Sequence, residues 1–398
     1  MGLLDGIRGN VLVLGVVSFF TDVSSEMIFP LLPLFLTTYL GASTAILGLI
    51  EGIADSLSSL FDIFFGYWSD KSGNRKRFVF LGYGFSSLSK IGIALANSWP
   101  LMLVFRGLDR VGKSIRTSPR DALIAASTEK SARGKAFGLH RAMDSLGAVA
   151  GPIIAYLILS LLGESKGAYQ TVFAAAVIPA LIAVAVILLF VREPRAAAKP
   201  DERKTPKPPF WKALSLLGNN YTKFVLISCL FSLSYFSFAL LIVRAGELKI
   251  DAQGVLLAYI IYNVVYTITS IPIGQLSDRI GRKPVIAGAF ALYALVCVGF
   301  ALATPGSFWP IALLFAIYGI FVAADESVNK AYVADLVGEE RRGLALGAYN
   351  TAVGISYLPA NILFGALWAA LGGTAAFAAA AGVAVASAGA LVLFAKGK

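Results

Sequence analysis

Gly66-Tyr-Trp-Ser-Asp70-Lys-Ser-Gly73 and Gly274-Gln-Leu-Ser-Asp278-Arg-Ile-Gly281 are one loop written twice, 208 residues apart. A second pair repeats at an offset of 209: Arg133-Gly134-Lys-Ala136-Phe-Gly138 and Arg342-Gly343-Leu-Ala345-Leu-Gly347. Two separated matches at nearly one spacing mark an internal duplication. Each copy of the loop ends one long apolar run and precedes another. The duplicated unit is therefore a set of apolar segments with short charged connections.

Composition says what those segments are. The chain has 398 residues, of which 57% are apolar and 14% charged. An ordinary soluble domain carries about 25% charge. The mean hydropathy is +0.76. These values exclude most soluble folds, and disorder as well, since disordered chains are poor in apolar residues. Cys229 and Cys297 both sit in apolar runs, which excludes a disulfide scaffold. The single histidine, His140, excludes a His-rich metal centre.

Apolar stretches long enough to cross about 30 Å of hydrocarbon recur along the chain. They fall at 10–39, 44–68, 78–97, 99–126, 135–162, 168–191, 220–243, 253–276, 284–303, 308–334, 343–371 and 374–395. The net charge of +11 would suggest nucleic acid in a soluble protein, but here it follows topology. Of 34 Lys and Arg, 21 lie at the termini and in the loops after the even-numbered segments. The loops after the odd-numbered segments hold only Lys166, Arg244 and Lys249. By the positive-inside rule both termini are cytoplasmic. No cleavable signal peptide is expected, because the first run is too long and continues through Pro30 and Pro33.

One polar stretch, Arg192–Lys212, carries seven basic and three acidic residues interspersed with prolines. Such a segment cannot be a membrane helix. The sequence thus predicts an all-α integral membrane protein of twelve transmembrane helices in two six-helix bundles. The bundles are 1–191 and 220–398, joined by a cytoplasmic linker at 192–219. Six helices per repeat is even, so both copies share one orientation, related by an axis along the membrane normal. The pathway is expected between the two bundles near the midplane.

The duplicated loops, GYWSDKSGNRK at 66–76 and GQLSDRIGRKP at 274–284, resemble motif A of the major facilitator superfamily. The second copy matches closely; the first has Asn74 where that family usually has arginine. The resemblance covers the whole chain and implies a secondary transporter. Gly66 and Gly73 suit a close helix approach and a tight turn. Asp70 at the membrane edge needs a basic partner or a helix N-terminus. Arg116, Arg120 and the helix start near Gly343 are the candidates for a latch that holds one state. The expected gating set is Gly66, Asp70, Gly73, Arg75, Arg116 and Arg120, with Gly274, Asp278, Arg279, Gly281 and Arg282 in the second copy. The fifth segment reads Gly138-x8-Gly147-x3-Gly151-Pro152, small residues that permit close helix packing. It partly resembles the family's motif C, which implies antiport; Ala155-Tyr156 stands in place of its closing glycines.

Ionisable residues inside membrane helices are costly and point to function. Asp22 and Glu26 lie one turn apart on the first helix, near the midplane. Glu51 and Asp55 share one stripe of the second helix with Ser58 and Asp62. The fourth helix carries Arg106, Asp109, Arg110, Lys113, Arg116 and Arg120 on one broad face; Lys90 lies on the third. The stretch from Arg106 to Lys113 resembles the family's helix-4 arginine region, which implies proton coupling. The fifth helix adds His140, Arg141 and Asp144. Asp109 with Arg110, and Asp144 with Arg141, are candidate pairs. The second half is quieter: Tyr235, Tyr259, Tyr262, Asn263, Tyr266, Asn350 and Tyr357 form an expected aromatic and amide cavity wall.

The leading expectation is a proton-coupled antiporter that exports a drug-like or cationic small molecule by alternating access. A carboxylate would carry the proton in competition with substrate. A metal-cation exporter and a proton-coupled symporter for a zwitterionic or anionic metabolite stay open as alternatives. A non-transporting receptor or enzyme finds no nucleophile constellation and no phosphate loop in its favour. No cofactor and no resident metal are expected, with the proton gradient as driving force. The expected surroundings are the plasma (inner) membrane and a small-molecule or ion substrate, with no nucleic acid partner and a monomeric state.

Overall fold

The computed structural model describes residues 9–129, 133–193, 217–337 and 341–394, all-helical with no strand among them. The helices are α1 (Gly9–Ile28), α2 (Thr44–Leu60), α3 (Arg75–Leu95), α4 (Trp99–Ala126), α5 (Arg133–Leu162) and α6 (Lys166–Phe190). They continue with α7 (Asn219–Ser232), α8 (Ala252–Ile280), α9 (Arg282–Leu302), α10 (Phe308–Asp335), α11 (Arg342–Leu371) and α12 (Gly373–Phe394). Helical segments Asp62–Ser72 and Phe238–Glu247 follow α2 and α7. Most of the linker expected at 192–219 lies outside the described residues.

Nine helical stretches among the described residues are long and apolar enough to cross a membrane. The three predicted spans outside that set have physical reasons. The 44–68 span is interrupted at Phe61, and the 99–126 span carries the α4 charges. The 220–243 span is broken across 233–237. The outer surface is greasy: Leu161, Leu189, Leu302, Trp309 and Leu393 are each more than 70% exposed. So many large apolar side chains would aggregate in water and suit hydrocarbon.

The α7 break exposes backbone groups that the bilayer cannot satisfy. Other helices of the same unit supply the partners. Asn361 Oδ1 on α11 accepts from the Ser237 N–H at 2.6 Å. The Tyr293 hydroxyl on α9 donates to the Ser234 carbonyl at 2.5 Å. Ser237 then caps the following helix by accepting from the Ala239 N–H. Asn361→Leu is expected to cost about 1–3 kcal/mol, the scale of one unsatisfied buried donor. A lowered thermal unfolding midpoint in detergent checks it; an unchanged one would mean water supplies the bond.

The described residues fall into two compact units. One takes residues up to 42, from 53 to 193 and from 251 to 260; the other takes 43–52, 217–250 and 261–394. In the first unit α1 packs on α5 and α6, and α3 on α4 and α6. Val11, Leu14, Val17, Val79, Leu123 and Ile187 form an apolar core there. Small residues set the α3–α4 spacing: a Cβ on Gly82 would fall 2.7 Å from the Gly112 carbonyl oxygen. In the second unit α9 packs on α10 and α12.

Candidate functional site

The crossing of α1 and α5 places two carboxylates. A Cβ on Gly147 would fall 2.6 Å from the Phe19 carbonyl oxygen and 2.9 Å from Asp22 Cβ. A Cβ on Gly151 would fall 2.6 Å from the Val23 carbonyl oxygen and 2.9 Å from Glu26 Cβ. The two glycines of the motif thus lie against the two acids of α1, one turn apart on each helix. Gly138 takes no part, since a Cβ there meets nothing within 4 Å. Asp22 and Glu26 are half-buried. Glu26 Oε2 accepts a hydrogen bond from the Tyr259 hydroxyl at 2.5 Å.

Around this crossing the first unit gathers the charges of its helix interiors. Asp144 on α5 accepts from the Ser18 hydroxyl and lies 3.7 Å from His140 Nδ1. Asp109 on α4 accepts from the Ser86 hydroxyl on α3, with Arg106 Nη1 at 3.9 Å. Asp109 is thus paired with Arg106, and Asp144 with His140. Lys90 on α3 is buried and donates to Ser24 and Ser25 of α1 at 2.8 and 3.0 Å. It shares one electrostatic neighbourhood with Asp109, Arg116, Asp22 and Glu26. Arg110 and Lys113 act on Glu26, and Lys113 and Arg116 on Asp22. Arg106 lies 5.4 Å from the centre of the Phe29 ring, and Arg116 lies 4.3 Å from that of Tyr83. These are stacked positions that make buried guanidinium groups tolerable.

The predicted α2 stripe is divided. Glu51 is buried in a stretch that groups with the second unit, while Asp55 groups with the first. Asp55 lies in the electrostatic reach of Lys113. Arg141 is exposed. Periodicity found the acids of α1 but gave no sign of their neighbours: Ser18, Ser24 and Ser86 carry no sequence signal of their own.

Of the tyrosines expected to form one second-half wall, Tyr262 stacks on Tyr266 with ring centres 6.2 Å apart, Tyr235 meets Tyr357 at 5.6 Å, and Tyr318 joins the two pairs, packing on Tyr262 and donating to the Tyr235 hydroxyl. Tyr259 groups with the first unit, on Glu26. The Tyr266 hydroxyl donates to Glu326 at 2.6 Å. Tyr262 packs on Phe238, ring centres 4.8 Å apart. Asn263 is buried and Asn350 exposed. Tyr235 and Tyr357 do line a common cavity, together with Ser228, Asp325, Asn329 and Tyr349.

The duplicated loops differ in detail. Gly73 and Gly281 have φ of 67° and 96°, the left-handed turn that favours glycine. In the second loop Arg282 bridges Asp278 at 2.6 Å and Asp335 at 3.1 Å. Arg279 is exposed, and a Cβ on Gly274 would meet nothing within 4 Å. In the first loop Asn74 caps α3, accepting from the Arg77 N–H at 3.1 Å. Its side chain thus does local work where the family pattern has arginine. Glu193 accepts from the Lys76 N–H, next to Arg75. The side chain of Asp70 and the surroundings of Gly66 lie outside what the structure describes, so the latch expected at Asp70 is not placed. Arg116 is buried on Tyr83, and Arg120 pairs with Asp121 at 2.9 Å. Arg282→Ala should change stability by less than about 1 kcal/mol, because its acid partners are solvent-exposed. A midpoint loss of more than a few degrees would overturn that reading.

Comparisons with known proteins show the family. The family model described as Major Facilitator Superfamily matches residues 14–243 and 224–397. An uncharacterised MFS-type transporter of Methanocaldococcus jannaschii is 40% identical over 365 residues, covering 90% of this chain and 88% of the relative. The fosmidomycin resistance protein of Escherichia coli is 25% identical over 360 residues, covering 88% and 85%. The crystal structure of a D-xylose–proton symporter superposes with a TM-score of 0.78 at 16% identity, covering 97% of both chains. At that identity the likeness is one of fold.

Proposed function

Because the chain belongs to the major facilitator superfamily of membrane transporters, we propose that it is a proton-coupled secondary antiporter exporting a small molecule by alternating access. It would act in the plasma (inner) membrane with both termini cytoplasmic. One observation carries the reading: Gly147 and Gly151 lie directly against Asp22 and Glu26. The glycine motif that resembles the antiporter pattern is thereby the contact surface of the two carboxylates. Two acids one turn apart, in a poorly solvated crossing, form a site for a proton or for a cationic group, but not for both. Competition between the two is what antiport requires. A relative named for resistance to fosmidomycin supports export of a drug-like molecule.

A second reading concerns the substrate's charge. Arg106, Arg116 and Lys90 are buried in the same unit, with Arg110 and Lys113 acting on Glu26. These buried cations favour a substrate with an anionic group, whether transported alone or as a zwitterion. Thermal unfolding with a panel of organic anions, cations and zwitterions, fosmidomycin included, separates the two. Stabilisation by anions that Arg106→Gln removes supports the second reading; stabilisation by cations alone refutes it.

A further inference from the structure

The helix α8 begins in one unit and ends in the other: residues 251–260 group with the first, and those from 261 with the second. Polar contacts hold its first turns to the first unit. Glu164, in the turn before α6, accepts from the Ala252 N–H at 3.4 Å. About two turns on, Tyr259 is 3% exposed, with its ring centre 6.0 Å from that of Phe29. Its hydroxyl donates to Glu26 Oε2 at 2.5 Å. That acceptor is an ionisable group, so the strength of the contact follows the charge on Glu26. A hydrogen bond to a carboxylate is roughly twice as strong as one to a neutral acceptor. A proton on Glu26 removes that gain.

We propose that Tyr259 is the positioning residue that ties α8 to the state of the proton site: it holds the start of α8 on α1 while Glu26 is ionised and releases it when Glu26 is protonated. The proposal rests on the reading of Glu26 as a proton carrier. An antiporter leaks if its empty, deprotonated form changes state alone, so only the loaded forms are to cross. A hydrogen bond made by the empty form and broken by the ligand enforces that rule. A cationic group of a substrate on Glu26 would displace the Tyr259 hydroxyl as a proton weakens it. Other charges also face this acid. Arg106, Arg110 and Lys113 act on it from α4, and Lys90 from α3. Asp22 lies one turn away on α1, with Asp144 of α5 acting on Asp22. Beyond Lys166, α6 carries no charged residue. These groups set how readily Glu26 ionises; Tyr259 converts its charge into a hold on α8.

The test is hydrogen–deuterium exchange of the full-length protein in detergent, read on peptides covering 252–260 and corrected for the intrinsic pH dependence of exchange. The proton is the only ligand varied. In the wild type, protection of this stretch should fall about tenfold between about pH 9 and about pH 5, the scale of one charge-assisted hydrogen bond. Tyr259→Phe keeps the ring on Phe29 and should show the low-pH protection at both ends of the range. Glu26→Gln should do the same, because glutamine is a neutral acceptor. Glu164→Gln, at an exposed position, should keep the wild-type response. Protection independent of pH in the wild type overturns the proposal, as does a response that survives in Tyr259→Phe or Glu26→Gln. So does a response lost only in Glu164→Gln. Coupled proton transport without this response would leave the antiport reading standing and remove Tyr259 from it. The response without coupled transport would keep the hold on α8 and refute antiport.

Discussion

Leucine at Gly151 is expected to abolish transport and to destabilise the protein by about 1–3 kcal/mol, the usual cost of overpacking a close contact. The Gly151 Cβ position already lies 2.6 Å from a carbonyl oxygen of α1, which cannot move as a side chain does. To admit even the first carbon, α1 and α5 must separate, carrying Glu26 out of register with α5. Gly138→Leu is the internal control on the same helix. A Cβ there meets nothing within 4 Å, so its effect should stay within about 0.5 kcal/mol. Unfolding midpoints and uptake into proteoliposomes measure both. Equal behaviour of the two variants would show that the crossing is not the structural basis of the site.

Glu26→Gln is expected to leave folding nearly intact while lowering proton-driven transport by roughly 10²-fold or more, the scale of a positioned proton-transfer group. Glutamine keeps the side chain's length and can still accept from the Tyr259 hydroxyl, which Glu26 does at 2.5 Å. What it loses is the capacity to take up and release a proton. Substrate exchange without a pH gradient should therefore persist in the variant. Loss of exchange and of gradient-driven transport together would place Glu26 in substrate binding and not in coupling. Asp22→Asn offers the same comparison one turn away, where Lys113 and Arg116 act on the acid.

The helical segments, the duplicated loops and the acids of α1 were legible in the sequence because each rests on a local rule. Span length follows from hydrocarbon thickness, and the acids follow from the 3.6-residue period. Neighbours across helices obey no such rule. Gly147 and Gly151 announced a close packing, but nothing in their spacing named α1 as its partner. The α7 break at 233–237 was read as continuous helix, because the groups that make it tolerable, Asn361 and Tyr293, lie far along the chain. Tyr259 is expected in a second-half wall because it follows the central linker in the chain, yet its stretch groups with the first unit. Ser228 passed unnoticed since a serine in a membrane helix commonly bonds its own backbone. Its place beside Asn329 in one cavity emerges only with α10 in position.

The coupling role of Asp22 and Glu26 is tested most directly by recording proton and substrate movement together. The protein is reconstituted in liposomes with an acidic interior and a trapped pH-sensitive dye, and a transported compound is added outside. Luminal pH should rise in step with uptake in the wild type, and this coupled rise should vanish in Glu26→Gln. Uptake with no change in luminal pH in the wild type, or an equal rise in the variant, would contradict the account.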